Sequence, residues 1–139
     1  MIRSSHVPIA PNHHPLTIPA NLTAGGNEPP MSSPITVAGV TLDVEEAGSG
    51  RPLLFLHPGE GLQANRPWLA ALAKTHRVIA PNHPGFGNSS LPDWFGTVDD
   101  IAYLYLDLVK QLGLKNAILA GNSFGGWLAA EIAVRNTEA

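Results

Sequence analysis

The sequence predicts an α/β architecture in which a mostly parallel sheet carries helices on both faces. Three observations predict it. The apolar runs PLLFLH (52–57), RVIAP (77–81) and NAILAG (116–121) are continuous rather than alternating, as expected of strands covered on both sides. Stretches with helical spacing of apolar residues separate these runs, and strand–helix alternation builds parallel sheets through right-handed crossovers. Each run also ends directly in a glycine-rich turn, and sheets of this kind bind ligands beyond the carboxyl ends of their strands.

The first 34 residues are rich in Pro, Asn, Ser and Gly without periodicity, and are expected to form a disordered extension before a domain spanning 35–139. They lack the charged start and apolar run of roughly 7–15 residues that a signal peptide needs, so a cytoplasmic location is expected. His6, His13 and His14 lie in this segment. With no cysteine or carboxylate at ligand spacing, they read as solvated side chains rather than a metal site.

The segment ITVAGVTLDVEEAG (35–48) alternates apolar and polar residues around Gly39, which predicts a β-hairpin with one wet face. The strand 52–57 follows. PWLAALAK (67–74) then places a proline in a first helical turn, with Trp68, Leu69 and Leu72 available to pack inward. After the strand 77–81, Thr97 and Asp100 have capping-box spacing. Val98, Ile101, Tyr105, Leu108 and Leu112 form an apolar stripe that Gly113 ends, whereas Tyr103 points away from Tyr105 toward solvent. The strand 116–121 leads into the last helix.

The three turns are HPGEG (57–61), NHPGFGNSS (82–90) and GNSFGG (121–126). In the last, Ser123 stands in a G-x-S-x-G pattern between a strand and a helix, where the small residues Gly121 and Gly125 allow a sharp turn that exposes the hydroxyl. Ser123 is therefore the candidate nucleophile. The backbone N–H of Phe124 would face the oxygen of a bound carbonyl, aided by the helix dipole. A second donor is expected from the first turn; Pro58 has no N–H, so Gly59 is the choice and Glu60 the reserve. His57, Glu60 and Phe86 are candidate pocket-lining residues, with His57 expected to brace its loop rather than to take a proton.

Other functions are disfavoured. A dinucleotide-binding loop would need glycine where Ser123 stands, and no G-K-[ST] phosphate loop occurs. The net charge of −3, with scattered Lys and Arg, provides no nucleic-acid or membrane patch. A small-molecule substrate is expected, with no cofactor and no metal. The absence of cysteine leaves packing to hold the fold.

The three turns together resemble the α/β-hydrolase family: an H-G-G-x-G-like stretch (57–61), P-G-F-G-x-S (84–89) and G-N-S-x-G-G (121–126). The latter two are similar in particular to hydrolases that cleave carbon–carbon bonds, and related esterases share them. Pro58 departs from the usual glycine. The resemblance implies a serine hydrolase acting on an ester, thioester, amide or activated C–C bond, with Gly59 and Phe124 as the oxyanion hole. It also implies a triad ordered Ser, acid, His. No histidine follows Ser123, and Glu131, about two turns along the helix, is read as a surface residue. The sequence is thus expected to hold the N-terminal half of the fold, without the triad acid and base. The alternative is a catalytically inactive fragment or pairing module, able to self-associate through an exposed sheet edge.

Overall fold

The computed structural model describes residues 30–136. Their elements run β1 (Met31–Val37), β2 (Val40–Ala47), β3 (Arg51–Leu56), a 3₁₀ turn (Gln63–Asn65), α1 (Arg66–Leu72), β4 (His76–Pro81), α2 (Val98–Gln111), β5 (Ile118–Gly121) and α3 (Phe124–Arg135). The sheet order is β1-β2-β4-β3-β5. β3 pairs in parallel with both β4 and β5, while β2 runs antiparallel to β1 and β4. Only β2 is reversed, so the sheet is mostly parallel as expected.

The β1–β2 hairpin closes through Ala38 and Gly39, both at positive φ (48° and 77°), the pairing that a two-residue turn between twisted strands requires. β1 begins at Met31, ahead of the expected domain start at Ile35. The hairpin register continues outward through Ser33↔Val44 to Met31↔Glu46, and these outer residues are mostly exposed, so they carry no apolar alternation to announce a strand. The rest of the predicted extension, with His6, His13 and His14, lies outside the described residues.

Side-chain alternation along β3 and β4 divides the core in two. Leu54, Leu56 and Ile79 face α2 and α3, where they join Leu42, Val44, Tyr105, Leu108, Leu128 and Ile132. Leu53, Phe55, Val78 and Ala80 pack against Leu69 of α1 and against Leu62, which precedes the 3₁₀ turn. Helices cover both faces. Trp68, expected to pack inward, instead projects into solvent, because α1 is short and presents only Leu69 fully to the sheet.

In α2 the capping box is present: Thr97 N–H donates to Asp100 Oδ2 at 2.8 Å and Asp100 N–H to Thr97 Oγ1 at 3.2 Å. The Gly96 N–H bond to Asp100 Oδ2 at 3.0 Å, with the bonds from Thr97 to the same carboxyl, holds the Asp100 carboxyl below its ordinary pKa. The buried stripe contains Ala102 and Leu104 besides the expected Tyr105 and Leu108, and Tyr103 is exposed. β5 is shorter than its apolar run, because Asn116 turns into the left-handed region (φ 53°) before the strand begins. It occupies one edge of the sheet. Among the described residues no helix is long and apolar enough to cross a membrane.

Candidate active site at the carboxyl ends of three strands

Parallel register brings the three turns to one end of the sheet. Leu56 lies opposite Gly121, so the chains leaving β3 and β5 start side by side, and Leu54 lies opposite Ile79 in β4. The elbow after β5 is forced by backbone contact. A methyl group on Gly125 would lie 1.9 Å from the Leu56 carbonyl oxygen, and one on Gly121 would lie 2.2 Å from the Gly125 carbonyl oxygen. Only hydrogen fits at either place.

Between these glycines Ser123 adopts φ 52°, ψ −117°, a region that costs a non-glycine residue about 1–3 kcal/mol. Its carbonyl accepts from Gly126 and Trp127, and that of Asn122 from Gly125. The Ser123 side chain is exposed and makes no capping bond to α3. Among the described residues, the Phe124 amide at the start of α3 and the Gly59 amide in the first turn have no hydrogen-bond partner. Gly59 and Glu60 are exposed, whereas Pro58 is buried with its carbonyl accepting from Gly61 N–H at 3.0 Å.

His57 lies under this turn rather than on its surface. It is wholly buried, with Nδ1 2.6 Å from the Pro58 carbonyl and Nε2 accepting from the His83 amide at 2.9 Å. An amide can only donate and a carbonyl only accept, so the neutral ring carries its proton on Nδ1. His83, at the head of the second turn, is equally buried. Its Nε2 faces the His57 carbonyl at 2.8 Å and its Nδ1 faces the Tyr105 hydroxyl at 2.5 Å, which places its proton on Nε2. Burial pushes the His57 pKa down, and burial together with the neighbouring His57 pushes that of His83 down to about 3. Both rings stay neutral, and neither has a nitrogen left for a substrate proton.

The second turn is stitched to β2. Asn82 N–H donates to the Asp43 carbonyl at 2.8 Å, Ser89 Oγ accepts from Asp43 N–H at 2.9 Å, and Ser90 N–H donates to the Thr41 carbonyl at 2.8 Å. Phe86, half-buried, stands edge-on to His57 with centroids 4.9 Å apart. Phe124 meets His83 edge-on at 5.6 Å. Glu131 receives the Trp127 indole N–H at 2.9 Å and pairs with Arg135, which together lower its pKa. It is occupied along α3 rather than turned toward Ser123.

Tyr105 is the member of this corner that sequence reasoning did not assign to it, and His83 was placed there only as part of the second turn. Tyr105 was legible only as a core position, since no spacing in the sequence shows which polar atom its hydroxyl meets. The remaining described histidine, His76, sits at the start of β4, at the opposite end of the sheet from the turns. Among the described residues no group of His, Cys, Asp and Glu is arranged to hold a metal ion.

Known proteins share this fold. Residues 51–139 match the model of the alpha/beta hydrolase fold family. The chain is 34% identical over 122 residues to 2-hydroxymuconate semialdehyde hydrolase of Pseudomonas sp. (strain CF600), covering 84% of this chain and 43% of that protein. It is 30% identical over 101 residues to haloalkane dehalogenase 2 of Mycobacterium tuberculosis, covering 67% of this chain and 33% of that one. The crystal structure of E-2-(acetamidomethylene)succinate hydrolase superposes with a TM-score of 0.65 at 30% identity, over 76% of this chain and 38% of that one. The chain thus spans less than half the length of these relatives.

Proposed function

Because the chain belongs to the alpha/beta hydrolase fold family, we propose that it carries the nucleophile half of a serine hydrolase site. The observation that carries the proposal is Ser123, held at φ 52° on a strand-to-helix elbow with its side chain exposed. Strain of this kind persists only where the surrounding structure enforces it, and here the backbone contacts of Gly121 and Gly125 do so.

In the proposed reaction Ser123 Oγ adds to the carbonyl carbon of a substrate, and its proton passes to a base. The resulting oxyanion is received by the Phe124 and Gly59 amides, which have no partner among the described residues. Collapse expels the leaving group as the base returns the proton to the departing atom, and water, deprotonated by the same base, then hydrolyses the acyl-enzyme. Esters, thioesters, amides and activated carbon–carbon bonds all fit this sequence of steps. The likeness to 2-hydroxymuconate semialdehyde hydrolase favours the last. The base is expected from outside the described residues, because His57 and His83 are fully engaged and His76 is at the wrong end of the sheet. Without a base, only the residual acceleration of binding and the oxyanion hole remains, on the order of 10³–10⁴ over water.

A fluorophosphonate probe tests the reading. Because no described residue can serve as the base, the probe is used with added imidazole as an external base, and labelling is then expected on the peptide that contains Ser123 and should vanish in Ser123→Ala. A second reading, a non-catalytic pairing module, is favoured by the position of β5 at a sheet edge. In that case the parent protein stays unlabelled and sediments as a dimer or larger.

A further inference from the structure

Two buried histidines, one buried tyrosine and the first turn are joined by an unbroken run of hydrogen bonds that the nucleophile reading does not use. Starting from α2, the Tyr105 hydroxyl donates to His83 Nδ1 at 2.5 Å, and His83 Nε2 donates to the His57 carbonyl at 2.8 Å. The His83 amide donates to His57 Nε2 at 2.9 Å, and His57 Nδ1 donates to the Pro58 carbonyl at 2.6 Å. The two rings lie 3.7 Å apart, centroid to centroid. The Pro58 carbonyl belongs to the same peptide group as the Gly59 amide.

From this run we infer that Tyr105 is a positioning residue for the Pro58–Gly59 peptide, acting through the tautomers of His83 and His57. The inference rests on the reading of Gly59 as an oxyanion donor. The argument is one of donors and acceptors. Neutral imidazole has one of each, and which nitrogen bears the proton is set by its partners. Tyr105 is wholly buried, and burial holds its hydroxyl in the protonated form, so it can supply a donor to His83 Nδ1. The His57 carbonyl, which can only accept, calls for the His83 proton on Nε2, and the Tyr105 hydroxyl supports that tautomer by donating to the Nδ1 lone pair it leaves. With the carbonyl and Nε2 of His57 both engaged by His83, the ring is oriented so that Nδ1–H meets the Pro58 carbonyl. If the hydroxyl were removed, His83 Nδ1 would be left without a donor in a buried site. The other tautomer would then lose the bond to the His57 carbonyl instead. Either way the clamp on the peptide loosens.

The experiment is Tyr105→Phe in the ¹⁵N-labelled 139-residue protein, which keeps the ring and removes only the hydroxyl. Histidine ring nitrogen shifts read the tautomers, and the Gly59 amide resonance reads the peptide. The parent is expected to show His83 protonated on Nε2 and His57 on Nδ1. Tyr105→Phe is expected to give mixed His83 tautomers and a displaced Gly59 amide. Leu108→Ala, which removes core volume three residues along the same helix but no hydrogen-bonding group, is expected to lower stability and leave the tautomers unchanged. Unchanged tautomers or an unmoved Gly59 amide in Tyr105→Phe would overturn the inference, as would equal changes in Leu108→Ala. Fluorophosphonate labelling run in parallel separates the two readings. With added imidazole as external base, a parent that does not label sinks the hydrolase reading alone, while a Tyr105→Phe protein that labels at the parental rate sinks the positioning role alone.

Discussion

The corner where β3 and β4 end and the flank formed by β5 and α3 support the same candidate site by opposite means. At the corner the chain buries polar groups, His57, Asn65, Asn82, His83 and Ser89, and satisfies them with one another and with the backbone. Along the flank, β5 is half-exposed, and Trp127 and Val134 of α3 project into solvent. There the geometry comes from backbone pressed against backbone at Gly121 and Gly125. A buried polar network tolerates few arrangements because each unmet donor or acceptor costs about 1–3 kcal/mol. A glycine contact tolerates few because no side chain fits.

The largest expected effect breaks the flank. Gly125→Ala places a methyl 1.9 Å from the Leu56 carbonyl oxygen, a backbone atom that cannot rotate away. A loss of about 3 kcal/mol or more, or failure to fold, is expected in urea denaturation. Gly126→Ala, whose methyl would sit 3.4 Å from the Gly121 carbonyl oxygen, is the control. It is expected to be neutral or to stabilise by up to about 1 kcal/mol through helix propensity.

The next effect breaks the corner by acid. His83 has its folded pKa lowered to about 3, and that of His57 is lowered in the same direction. The unfolded chain, with histidines near 6.5, then binds protons that the folded chain refuses. Stability from His83 is complete above about pH 6.5 and falls as the pH drops toward 3, by up to about 1.4 kcal/mol per pH unit, and His57 adds to the fall in the same direction. Urea midpoints measured from neutral pH downward check the slope. A flat profile through the histidine range would remove the neutral pair from the description.

The smallest effect sharpens the flank. Ser123→Gly releases the strain of φ 52°, whereas Ser123→Ala keeps it. The glycine variant is expected to be more stable than the alanine variant by about 1 kcal/mol, the strain relief being partly offset by the greater freedom of the unfolded chain. Equal stabilities would mean that the elbow stores no strain, and thermal denaturation of the two proteins compares them directly.

Much of this molecule was legible in the sequence, and the reasons are local. Continuous apolar runs located β3, β4 and β5, the Thr97 and Asp100 spacing set the start of α2, and G-x-S-x-G marked the elbow, because each is decided by a few neighbouring residues. The outer part of β1 was not legible, since Met31–Pro34 becomes a strand only by continuing the register of its partner. Nor was the exposure of Trp68, which depends on how little of α1 the sheet can cover.

By itself the sequence determined the alternation of strands and helices, the family, the turns that meet at one end of the sheet and the serine among them. Tertiary structure alone decided that His57 lies beneath its turn, that His83 and Tyr105 stand behind it, and which ring nitrogens carry protons. A hydrogen bond between residues 26 apart in sequence, as between His57 and His83, depends on strand order and register rather than on local pattern. Its donors and acceptors are assigned only once the folded chain has excluded water from both rings.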